Sequence, residues 1–109
     1  MKKFYVAETD WEGMKKEVKG AEKNRLVVVL LYAANREASQ HMVELTRKRA
    51  QQGDFNLVRV DGLKNFERLR EISVDRDPTL IFYKNGAELS RIVGPTVERI
   101  LDERINALS

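Results

Sequence analysis

Residues 26–33 read LVVVLLYA, an unbroken apolar run rich in valine. A strand with one wetted face alternates apolar and polar residues, and this run does not. It must be covered on both sides, as in the middle of a parallel sheet with helices above and below. The rest of the chain is read around that constraint. Phe4-Tyr5-Val6 is a short apolar start and a first strand. Thr9-Asp10-Trp11-Glu12 has the spacing of a capping box, with Thr9 accepting from backbone donors and Glu12 reaching back. Trp11, Met14 and Val18 follow at helical spacing, and Gly20 is the expected stop.

After the apolar run, a helix is expected from about Arg36 to Gln51, with Ala38, Met42 and Leu45 inward and Gly53 ending it. Residues 55–60, FNLVRV, make a second central strand that closes at Asp61-Gly62, and a short helix is expected from Asn65 to Ile72. Beyond Pro78 the pattern becomes a hairpin: residues 79–83 and 89–93 flank Lys84-Asn85-Gly86, and Asn-Gly tolerates the positive φ a tight turn needs. Gly94-Pro95 opens a last helix with Val97, Ile100, Leu101, Ile105 and Leu108 as its apolar stripe. The order β-α-β-α-β-α-β-β-α predicts an α/β domain spanning residues 1–109: a central mixed sheet of about five strands flanked by four helices.

Composition excludes several chemistries. The 109 residues suit one domain. There is no cysteine, so the chain has no disulfide, no thiolate nucleophile and no cysteine-based metal site. An intracellular, cytoplasmic location is the default expectation for such a chain. A net charge of +3 from twenty basic and seventeen acidic residues is too mild an excess for a nucleic-acid footprint. The basic cluster Arg47-Lys48-Arg49 sits near a helix end, where cations are stabilised by the dipole. No run is long and apolar enough to span a bilayer. His41, the single histidine, lies two residues from Ser39, and residues two apart on a helix point in different directions, so the pair makes a poor dyad. Asp75 and Asp77 flank Arg76 without a paired acid–base partner. No metal, cofactor or phosphate loop is expected, and Trp11 and Tyr32 read as packing residues.

This order, and several stretches, resemble thioredoxin. Asp77-Pro78-Thr79-Leu80-Ile81-Phe82-Tyr83-Lys84-Asn85-Gly86 is similar to the family's Pro-Thr, apolar run and Lys-Asn-Gly. Gly94 matches the glycine after the last strand, Val60-Asp61 the end of the third, and Tyr32-Ala33 the aromatic–alanine pair before the redox motif. The resemblance implies a thioredoxin-like fold in which Arg36-Glu37-Ala38-Ser39 stands where the family carries Cys-Gly-Pro-Cys. It also puts Leu30 at the position of the family's buried acid, Asn35 at that of its tryptophan, and a cis peptide bond before Pro78, beside the motif.

Thiol–disulfide exchange needs a thiolate to attack and a second thiol to resolve, and Arg36 and Ser39 supply neither. The resemblance therefore implies a redox-inactive domain that is not a thiol–disulfide oxidoreductase. It is expected to act as a protein-binding, adaptor or assembly module, taking a protein or peptide partner in a groove formed by Tyr32, Asn35, Arg36, Asp77, Pro78, Thr79, Val93 and Gly94. A salt bridge between Arg36 and Asp77 is expected to cap that groove, because a lone cation at a helix N-terminus is disfavoured. Two alternatives stand beside this reading: an enzyme binding glutathione or a similar thiol cofactor at the Pro78 loop, and a purely structural subunit.

Overall fold

The structure, a computed structural model, describes residues 3–33, 36–62 and 78–109. Five strands form one sheet: β1 (Tyr5–Thr9), β2 (Leu26–Tyr32), β3 (Phe55–Asp61), β4 (Thr79–Lys84) and β5 (Ala87–Val93), in the spatial order β1-β3-β2-β4-β5. Strands β1, β3 and β2 run parallel, while β4 and β5 are antiparallel additions on the far side of β2. The apolar run is thus the centre of a mixed sheet. Every residue of β2 is buried.

The faces divide by parity. Leu26, Val28, Leu30 and Tyr32 pack with Phe55, Leu57, Leu80 and Phe82 under α2 (Glu37–Ala50) and α3 (Glu98–Leu108), which insert Met42, Ala50, Leu101 and Ile105. Val27, Val29 and Leu31 turn the other way and join Val58, Val60 and Ile81 beneath Trp11, Met14 and Val18 of α1 (Trp11–Gly20). A one-residue slip of β2 would exchange the two sets, so the pairing of β2 with both neighbours fixes which helix covers which side chain. The described residues hold three helices; the expected helix from Asn65 to Ile72 lies outside them.

Several local expectations shift. The cap of α1 is Asp10, whose carboxylate accepts from the Gly13 N–H at 2.8 Å; Thr9 belongs instead to β1, paired with Val60. Gly13 is required for that close start, since a Cβ there would run into the Thr9 hydroxyl. Gly20 is the last residue of α1, and Ala21 follows as its C-cap in extended conformation. Ala38 is exposed, and the inward face of α2 is Ser39, Met42, Thr46, Arg49 and Ala50. Gly53, with φ 79°, terminates the turn after α2 by donating its N–H to the Ala50 carbonyl at 2.9 Å. The last helix starts at Glu98, three residues after Pro95, so Val97 precedes the helix and Val97 and Ile100 are exposed, leaving Leu101 and Ile105 as its buried stripe. The hairpin turns through Asn85 and Gly86, both at positive φ.

Arg49 is the least expected core member. Its side chain is only 5% exposed. Its Nε donates to Asp102 at 2.7 Å, and its Nη1 and Nη2 donate to the two oxygens of Asp54 at 2.9 and 3.1 Å. The guanidinium also lies 5.8 Å from the Phe55 ring. Burial alone disfavours its charge, but the hydrogen bonds to Asp54 and Asp102 outweigh that and hold its pKa above the ordinary arginine value. One side chain therefore ties α2 to its own exit loop and to α3.

A cysteine-free groove on a thioredoxin fold

The candidate site forms where β2 gives way to α2. The Arg36 N–H donates to the Ala33 carbonyl at 3.0 Å, and the Ala33 N–H donates to the Ser39 hydroxyl at 3.1 Å. Both backbone groups of Ala33 are thereby used to fold the connection back on itself. Ser39 is fully buried, so a polar group sits in the packed face of α2 because its hydroxyl has this local partner. Arg36 is the N-cap of α2 and makes no side-chain capping bond; Glu37 supplies the carboxylate suited to the first turn. Arg36, Glu37 and Ala38 are exposed.

Pro78 lies beside this turn for reasons of register. Leu31 pairs with Thr79, the residue after Pro78, so Pro78 stands at the end of the β2–β4 ladder from which the turn departs. On its other side the Pro78 carbonyl accepts from the Gly94 N–H at 2.8 Å, and Gly94 adopts φ 86° to make the bend. Bonded and unbonded pairs alternate along an antiparallel ladder, so the backbone groups of Val93 point away from β4. The Val93 side chain is 53% exposed. Pro78 and Thr79 are buried and lend backbone rather than side-chain surface. Of the expected site residues, Arg36 and Ser39 bond to Ala33 just past the carboxyl end of β2, Thr79 pairs with Leu31 and Val93 at that end, and Pro78 bonds to Gly94. Asn35 and Asp77 lie outside the described residues, and with Asp77 so do the Arg36–Asp77 salt bridge and the peptide bond before Pro78.

Tyr32 is a packing residue in this structure. It is buried on the α2 side of the sheet, and its hydroxyl donates to Glu8 at 2.8 Å. Arg59 stands 3.4 Å from the same carboxylate. Burial, then the Glu8 hydrogen bond and charge, push the Tyr32 phenol up to about 12. Glu8 and Arg59 were invisible as a pair in sequence, because only the β1–β3 register puts them opposite one another. A phenol whose folded pKa lies above its unfolded value of about 10 favours the folded state fully below pH 10. That contribution, on the order of 2 kcal/mol, is lost as pH rises from about 10 to about 12. Ultraviolet titration should show tyrosinate appearing late at Tyr32, and Tyr32→Phe should remove that late step; a full tyrosinate signal near pH 10 in the folded protein contradicts the buried hydrogen bond.

Leu30, at the position where a buried acid is expected in the family, is fully buried between Arg59 of β3 and Leu80 of β4 in register. His41 is exposed on α2. Among the described residues there is no cluster of three or more His, Asp or Glu able to hold a metal ion, and no helix is long and apolar enough to cross a membrane.

A parallel β-α-β-α-β unit extended by an antiparallel hairpin, with a helix start and a proline loop meeting at the end of its central strand, defines the thioredoxin-like class. Residues 5–107 match the family model described as Thioredoxin, and the chain belongs to that family. It is similar to reduced Schistosoma mansoni thioredoxin pre-protein, with 25% identity and TM-score 0.84 over 96% of this chain and 99% of that one. A Fasciola hepatica thioredoxin is similar over the whole of both chains, at 24% identity and TM-score 0.80. A mutant thioredoxin from Halobacterium salinarum NRC-1 covers 99% of this chain and 94% of its own, with TM-score 0.86 at 18% identity. No curated protein sequence matches the chain. The family membership and the absence of cysteine stand together: this is a thioredoxin fold with no sulfur atom able to carry out thiol–disulfide exchange.

Proposed function

We propose that this domain works by binding, taking a protein or peptide partner in the groove beside Pro78 as an adaptor or assembly module of the cytoplasm. The observation that carries the reading is Val93, half exposed at the lip of the groove with its backbone turned outward, next to a proline loop pinned by the Gly94 N–H. An exposed strand end with free backbone groups accepts an extended segment by strand addition, and an apolar side chain there supplies a contact for an apolar partner residue. Val97, 54% exposed, prolongs the apolar lip toward α3. Arg36 and Glu37, both exposed, add charged groups on the other wall. Chains in this family that retain sulfur can hold a partner covalently in passing; this one has only shape and non-covalent contact to offer.

The test is affinity capture from the native source with three immobilised forms: wild type, Val93→Asp, and Asn106→Asp on the exposed side of α3. The reading expects a partner retained by wild type and Asn106→Asp and lost with Val93→Asp, all three being folded by circular dichroism. A partner captured equally by all three moves the interface off the groove. Arg36→Ala then separates the two walls, and full retention by that variant would restrict the contact to the Pro78–Val93 side.

A further inference from the structure

The hairpin tip carries chemistry that the groove does not use. Asn85-Gly86 is the single Asn-Gly pair in the chain, and it forms the two-residue turn between β4 and β5 with φ of 53° and 82°. The Asn85 side chain is directed across to another loop. Its Oδ1 accepts from the backbone N–H of Asn24 at 2.8 Å, and its Nδ2 donates to Asn24 Oδ1 at 2.9 Å. Asn24 is itself left-handed, with φ 66°. Two asparagines in a backbone conformation few side chains adopt thus clasp one another between the α1–β2 loop and the hairpin, both exposed to water.

An asparagine followed by glycine is open to attack from its own backbone, because glycine has no side chain to shield its nitrogen. The Gly86 nitrogen adds to the Asn85 carboxamide carbon, the bond from that carbon to Nδ2 breaks, and ammonia leaves with the proton given up by the Gly86 nitrogen. The product is a cyclic imide. Water then opens the imide at either carbonyl, leaving an aspartyl or an iso-aspartyl link. Solvent water is the one co-reactant, and nothing is oxidised or reduced. Space around Gly86 is open: a Cβ built there meets nothing within 4 Å.

We propose that Asn85 is a site of hydrolytic modification in this protein and that the Asn24 clasp restrains it. For the Asn85 carboxamide to meet the Gly86 nitrogen it must leave Asn24, which breaks both clasp bonds. The aspartyl product has lost the Nδ2 donor, so the bond to Asn24 Oδ1 cannot re-form, although the carboxylate can still accept from the Asn24 N–H. An iso-aspartyl link also adds a backbone atom to a turn whose closing pair is Lys84 and Ala87. Because β4 and β5 lead from this turn to Pro78 and Val93, the modified tip lies on the same hairpin that frames the groove.

The experiment follows conversion of Asn85 by peptide mapping and mass spectrometry during incubation in mildly alkaline buffer. Four samples are compared: wild type, Asn24→Gly, Asn24→Asp, and a synthetic peptide of residues 81–88. Asn24→Gly keeps the left-handed backbone and its N–H but removes the acceptor for Nδ2, whereas Asn24→Asp keeps an acceptor in place. The expected order is peptide fastest, then Asn24→Gly about fivefold faster than wild type, as loss of one ordinary hydrogen bond implies, with Asn24→Asp close to wild type. Circular dichroism before incubation establishes that the variants are folded. Equal rates in wild type and Asn24→Gly, or a wild type as fast as the free peptide, would overturn the restraining role of Asn24. An Asn85 that stays intact in Asn24→Gly while the peptide converts would overturn the site itself.

Discussion

Replacing Arg49 with alanine is expected to lower the unfolding free energy by about 3 kcal/mol, the low end of what removing one partner from a buried ion pair costs. The low end applies because Asp102 is 40% exposed and Asp54 is also partly solvated, so the two stranded carboxylates keep some water. The substitution also removes the guanidinium that lies 5.8 Å from the Phe55 ring. For a domain of this size the fall corresponds to roughly 12–20 °C in Tm. Urea unfolding at neutral pH measures it directly. Arg49→Met should recover part of the loss by refilling the volume, while Asp54→Asn and Asp102→Asn should each cost less than Arg49→Ala, since either leaves the guanidinium one carboxylate. A loss below about 1 kcal/mol for Arg49→Ala would mean that the cluster behaves like an exposed pair.

The second large effect is expected at Leu30→Asp. Leu30 is fully buried in the central strand. A carboxyl there forfeits the apolar packing and has to be buried, at a cost of about 3–5 kcal/mol. The sign of the pH dependence follows from burial. A carboxyl held neutral in the folded state has a folded pKa above its unfolded value of about 4. Its penalty is therefore smallest below about pH 4 and grows by about 1.4 kcal/mol per pH unit as pH rises toward the folded pKa. Urea unfolding at pH 4 and pH 7 should find the difference between variant and wild type larger at pH 7. Arg59 is the register neighbour of Leu30 on β3, so the opposite trend, with a smaller difference at pH 7, would mean that the new carboxylate ionises and pairs with Arg59.

These effects mark where the sequence could and could not be read. The run from Leu26 to Ala33 requires two covered faces, and the Asn-Gly turn requires a hairpin; between them they determine the centre of the sheet and its antiparallel extension. The sequence leaves the start of α1 open by one residue, because Thr9 and Asp10 are both good caps. What decides is that Thr9 is already committed to the ladder with Val60, a pairing no local pattern contains. Helical spacing points Ala38 inward and treats Ser39 as a vacant redox position, yet Ser39 is the buried one, because the Ala33 N–H satisfies its hydroxyl. A search for apolar periodicity passes over a buried polar group of that kind. Arg49 was legible as a cation near a helix end, but its burial depends on Asp102, which is 53 residues away in the chain. At the site, the loss of both reacting sulfurs was plain from residues 36–39. That Val93 is exposed while Tyr32 and Thr79 are buried emerges only from the register of β2, β4 and β5.

Dithiothreitol-driven insulin reduction by the Arg36→Cys/Ser39→Cys chain, run beside wild type, probes the account at its root. Both thiols are placed at the start of α2, where the helix dipole favours a thiolate, and beside the proline loop. The account predicts turnover in the double variant, slowed by the apolar Leu30 where the family carries its buried acid, and none above blank in wild type, because the fold is kept and the thiols are absent. Turnover by wild type, or a folded double variant that forms no intramolecular disulfide and reduces nothing, would contradict it.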